Sequence, residues 1–180
     1  MAAADVAATP SAIVDGKLWL LLTSGLLVEG NLPLSLFGVV TLSLAVLLVC
    51  DWRVLWAAGV LGHVGSGLAT YAAIELAARV EPGRVDDVQH ALDYGISAFV
   101  AGGLGALAVG AWRRRHEWPL TVLWRWLVAA SVGSTVLMTA HVLDPFWLEH
   151  LPAFAIGAGV TFLLGERRQP ARLAHASAGR

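Results

Sequence analysis

Long apolar runs set apart by short charged clusters constrain this chain more than any other feature of its sequence. An α-helix needs about 20 apolar residues, rising about 1.5 Å each, to cross a hydrocarbon core of about 30 Å. Five such spans are expected, over residues 32–50, 54–77, 91–112, 120–142 and 148–165. A shorter apolar run, 18–28 within the segment 17–29, covers only about 17 Å and reads as a re-entrant or interfacial helix. Residues 1–16 read as a loose N-terminal tail, 17–165 as one transmembrane domain, and 166–180 as a cytoplasmic C-terminal tail. The composition agrees: 57% hydrophobic residues, 14% charged residues and a mean hydropathy of +0.69 are too apolar for a soluble domain of this size. The fold class expected is therefore all-α, a polytopic transmembrane helix bundle.

A net charge of -1 argues against a nucleic-acid partner. The single cysteine, Cys50, has no second thiol to pair with and reads as a small apolar residue at a helix end. No metal-spaced His and Cys cluster and no phosphate loop occurs in the sequence, so neither a metal nor another cofactor is expected. Tryptophans beside charged residues, such as Trp52, Trp112 and Trp126, read as interfacial anchors. The Arg113-Arg114-Arg115 cluster and the Arg167, Arg168 and Arg172 tail lie an even number of spans apart, and the positive-inside rule puts both in the cytoplasm.

That orientation brings two chemically useful residues to the outer face. Ser97 falls six residues into the span that starts at Ala91, about 9 Å below its outer end, and His150 opens the last span. A serine hydroxyl becomes a nucleophile when a base takes its proton, and an imidazole can take it and later protonate a leaving amine. The bland alternatives are a packing serine among glycines and a histidine at a helix end. Gly95, Ala98, Ala101, Gly102 and Gly105 recur at spacings of three and four, a stripe on which a neighbouring helix can pack closely.

Gly95-Ile96-Ser97, with glycines five and eight positions after the serine, resembles the Gly-x-Ser-Gly-x-x-x-Gly-x-x-Gly pattern of rhomboid intramembrane serine proteases. The segment from His150 to Gly157 resembles that family's last core helix, and the segment from Trp19 to Leu27 is similar to the stretch leading into its second helix. The resemblance covers roughly residues 17–165. It implies a six-helix core in a bacterial plasma (inner) membrane, with Ser97 and His150 as a catalytic dyad and transmembrane proteins as substrates or clients. The sequence departs from the pattern in several places, one of them Ala153, which replaces the first small glycine after the histidine. Ala98 follows the serine, Ala101 stands where an aromatic ring usually stacks on the imidazole, and residues 32–38, matched to the family's second helix, lack its His-x-x-x-Asn. A catalytically inactive rhomboid-like protein that binds client segments is the alternative, and an unrelated small transporter or assembly factor is a third reading.

Other polar residues stand as oxyanion or cavity candidates. His63, sharing a helical face with Ser66, Gly67 and Thr70, falls near mid-bilayer and reads either as a cavity residue replacing the missing oxyanion donor or as a neutral histidine bonded to a neighbouring helix. Tyr94 and the backbone at Gly95 are further candidates, and His141 is an alternative base. Asp93 is expected to cap the helix that carries Ser97. The oligomeric state is left open.

Overall fold

The computed structural model describes residues 6–28, 31–81, 83, 86–93, 95–139 and 148–164, and among these every regular element is helical. Short helices α1 (Pro10–Val14) and α2 (Leu20–Thr23) lead through a 3-10 turn at Ser24–Leu26 into α3 (Leu32–Val49) and α4 (Trp52–Val80). After the one-turn α5 (Asp86–Gln89) come α6 (Ile96–Arg113), α7 (Leu120–Thr139) and α8 (His150–Leu164). Helices α3, α4, α6 and α7 are long and apolar enough to cross a membrane, while α8 is an apolar helix of 15 residues.

Side-chain caps fix where the long helices begin. The Asn31 side chain accepts from the Leu34 amide at 3.1 Å to open α3, and Asp51 accepts from the Arg53 and Val54 amides at 2.8 and 3.0 Å to open α4. Each satisfies amides that the helix itself leaves without a partner. The hairpin between α3 and α4 is thus written into the residues Cys50 and Asp51.

Burial separates a centre from a periphery. Of the apolar window in each span, 56% is buried in α6 and 50% in α4, against 11% in α3 and 17% in α7. Leu34, Phe37, Leu48, Val122, Trp126 and Leu137 point outward, an apolar exterior compatible with a bilayer. The centre is built from small residues. A Cβ on Gly157 would collide with the Gly102 carbonyl, one on Gly105 with the Phe154 carbonyl, and one on Gly102 with the Ala58 carbonyl. Backbone meets backbone at all three points, as it does where small residues replace the hydrophobic effect as the packing device in membranes.

These contacts set directions. Gly105 lies against Phe154 and Ala158 while Arg113 donates to the Phe162 carbonyl at 2.7 Å, so α6 and α8 run parallel. Leu42 lies against Gly103 and Cys50 against Gly110, so α3 runs parallel to both. On α4, Ala58 meets Gly102 and His63 meets Gly95, so α4 runs the opposite way.

The end carrying Arg113 is tied by cations. Arg114 donates to the carbonyls of Leu48 and Val49 at 3.1 and 2.7 Å, covering oxygens left open at the end of α3, and pairs with Glu117 at 2.7 Å. Replacing Arg114 with methionine keeps most of the apolar stem and removes these bonds. We expect a loss of about 1 kcal/mol, the net value of a partly exposed charged hydrogen-bond set, read as a lower thermal midpoint in detergent.

Two expectations change. Of the N-terminal segment, residues 7–13 are packed rather than loose: Thr9 caps α1, Ala8 and Ile13 are buried against Leu20, Leu21, Tyr71 and Ile74, and Asp93 donates its amide to the Ala8 carbonyl at 2.9 Å. The Ser97 helix begins at Ile96 instead of Ala91, because residues 91–93 are drawn into that contact with Ala8. Ser97 is therefore the second residue of its helix rather than six residues inside it.

Candidate active site at the start of helix α6

The first turn of α6 meets α4 on one side and α8 on the other. Residues 97, 101 and 105 form one line down the helix, and two of them face α8: Ala101 packs with Ala153 and Gly105 lies against Phe154. On α8, residues 150, 153, 154 and 157 form the matching line, with Gly157 against Gly102. Ser97 and His150 thus open two facing lines on parallel helices. Counted from the contacts of Gly102 with Gly157 and of Gly105 with Phe154 and Ala158, Ser97 and His150 stand toward the same end, within about one helical turn of each other in height. Ser97 is half-buried and His150 is only 2% exposed. Among the described residues no hydrogen bond joins the Ser97 hydroxyl to His150.

The other side of the turn belongs to His63. Gly95 is the last residue before α6, and a Cβ there would collide with the His63 ring, reaching Nδ1 at 2.5 Å and Nε2 at 2.8 Å. On its other side the ring lies under Gly25, whose Cβ would come within 3.0 Å of it. His63 is 5% exposed, so a polar ring sits sandwiched between two glycines that leave room for it. Its Nε2 lies 3.4 Å from the Ser24 hydroxyl, and Ser24 is fully buried. The Ser24 carbonyl in turn accepts from the Gly95 amide at 3.1 Å. One short turn, residues 24–26, therefore touches both the imidazole and the start of the Ser97 helix. Ser66 is buried below and donates to the His63 carbonyl at 3.1 Å.

A second polar corner lies farther along α4. Tyr71 donates a short hydrogen bond to the Asp93 carboxylate, and Glu149, only 1% exposed, faces the same corner. Asp93 is thus occupied by Tyr71, and α6 begins at Gly95 with no side-chain cap, contrary to the capping role expected for Asp93. Removing the tyrosine hydroxyl takes a hydrogen bond away from a buried carboxylate. Tyr71→Phe should cost about 1–3 kcal/mol of stability and raise proteolytic sensitivity around residue 93, measured by limited proteolysis in detergent.

Tyr94 and His141, named from sequence as an oxyanion donor and an alternative base, lie outside the described residues. Residues 32–38, matched from sequence to the family's second helix, lie on α3, whose Leu42 meets Gly103 on a different line of α6. Helix α4, like α7, touches both the Ser97 helix and the His150 helix, and it does so beside Gly95 and Gly102. Sequence reasoning missed Ser24, Tyr71 and Glu149. Only Ser24-Gly25 left a trace, as small residues inside an otherwise bulky apolar run. A cavity of about 610 Å³ lies elsewhere, between the N-terminal segment and His90, lined by Thr9, Ser11, Lys17 and Trp19 among others. No family model, curated protein or solved structure matches the chain.

Proposed function

We propose that this chain is a rhomboid-like intramembrane serine protease of a bacterial plasma membrane, cleaving transmembrane segments near the outer face. The observation that carries the reading is the pairing of the Ser97 line of α6 with the His150 line of α8, parallel and in glycine-mediated contact. In this reading α3, α4, α6, α7 and α8 make five crossings, with Arg113, Arg114 and Arg115 cytoplasmic. The Ser97 Oγ attacks the carbonyl carbon of a peptide bond while its proton passes to His150. His150 then delivers that proton to the leaving amine as the C–N bond breaks. Water attacks the resulting ester with His150 again as base, releasing the new carboxylate and restoring the Ser97 hydroxyl. The first turn of α6 supplies backbone amides for the developing oxyanion, at a depth where the hydrocarbon offers no such stabilisation.

A second reading, client binding without hydrolysis, is favoured by one observation: Ala101 rather than an aromatic ring lies on the line between Ser97 and Gly105. The two separate on a fluorophosphonate probe applied to the purified protein in detergent. The protease is labelled at Ser97, whereas the binder stays unlabelled and captures transmembrane peptides equally well with Ser97→Ala.

A further inference from the structure

The His63 ring has two nitrogens in unequal surroundings. Nδ1 is buried and has no hydrogen-bond partner, and Gly95 is the residue whose missing side chain leaves it space. Nε2 faces the Ser24 hydroxyl at 3.4 Å. With the Nε2 proton donated to the Ser24 hydroxyl, the neutral ring leaves Nδ1 as a bare lone pair. A buried acceptor of this kind costs stability unless something donates to it.

We propose that His63 works in this site as a hydrogen-bond acceptor, with Ser24 as the residue that positions it. Its Nδ1 takes an O–H or N–H donor brought to the first turn of α6, either the hydrolytic water or a backbone amide of an unwound substrate segment. This departs from the oxyanion-donor role that the sequence suggested, because a bare Nδ1 repels an oxyanion rather than binding it. The inference rests on the hydrolase reading for what the donor does, but not for the state of the ring. Gly25 and Gly95 fit the same picture, for a side chain at either place would crowd the ring out of this position.

The test uses full-length protein with ¹⁵N-labelled histidine in detergent at neutral pH, the His63 signals being assigned by their loss in His63→Asn. Nitrogen shifts should show Nε2 protonated and Nδ1 unprotonated, and Ser24→Ala should mix the tautomers or broaden the signals while Ser24→Thr restores them. Fluorophosphonate labelling of Ser97 should fall about tenfold in Ser24→Ala, the loss of one well-placed hydrogen bond, and recover in Ser24→Thr. His63→Asn, whose side-chain oxygen can stand near the place of Nδ1, should retain more labelling than His63→Leu. A proton on Nδ1, in the other tautomer or in the cation, overturns the proposal, and so does a ring unchanged by Ser24→Ala. If the wild type is not labelled at all, the hydrolase reading fails, and the nitrogen shifts still decide the state of His63.

Discussion

Ser97→Ala should abolish labelling by a fluorophosphonate probe, and His150→Ala should reduce it by about 10²- to 10⁴-fold, the usual contribution of a general base. The asymmetry matters. Without Ser97 there is no atom to form the covalent bond, whereas without His150 the hydroxyl remains and loses only its activation. Both residues open the facing lines of α6 and α8, so neither substitution disturbs the glycine contacts below them. The measurement is gel fluorescence of the probe adduct over time, with circular dichroism confirming that both variants keep their helices. Labelling that persists in Ser97→Ala places the reactive group elsewhere and ends the case for this site.

The second large effect is structural. Gly157→Ala puts a methyl group into the Gly102 carbonyl and within 2.7 Å of its carbon, and Gly105→Ala puts one into the Phe154 carbonyl and within 2.9 Å of the Ala158 amide. Neither obstacle is a flexible side chain that can swing aside, so the two helices must separate. Overpacking of this kind costs about 1–3 kcal/mol, and the double variant should unfold well below the wild type in detergent. Gly159→Ala on the same α8 helix is the control, since a Cβ there meets nothing within 4 Å. Its better helix propensity should leave stability unchanged or raise it by up to about 1 kcal/mol. If Gly157→Ala and Gly159→Ala behave alike, the close approach of α6 and α8 is wrong. Separation should also weaken labelling at Ser97, because it draws the two lines apart.

How far the sequence could be read depended on the distance over which each feature is determined. The long helices were legible because a run such as 32–49 carries its own signal, and Asn31 and Asp51 mark their starts locally. The beginning of α6 was not, since Ala91 and Leu92 look like helix while a contact with Ala8, far away in the chain, holds the region in another shape. The same contact explains why an alanine-rich segment that looked loose is in fact packed. Small side chains such as Ala8 fit flat against α4, and composition alone does not reveal a fit. Asp93 was credited with a cap because it lies just before a helix, but its partner Tyr71 lies 22 residues upstream. For His63, sequence spacing identified the buried face shared with Ser66 and Thr70. It did not identify Ser24, 39 residues away, as the neighbour of the ring.

The arginine ties give the bundle a mechanical polarity. Arg113 clasps the final turn of α8 and Arg114 the final turn of α3, so the feet of three parallel helices are bolted to one another at a single level. Levers pinned at the foot swing widest at the tip. Any splaying of these helices is therefore smallest at the bolts and widest at the end where the serine and the imidazole lie.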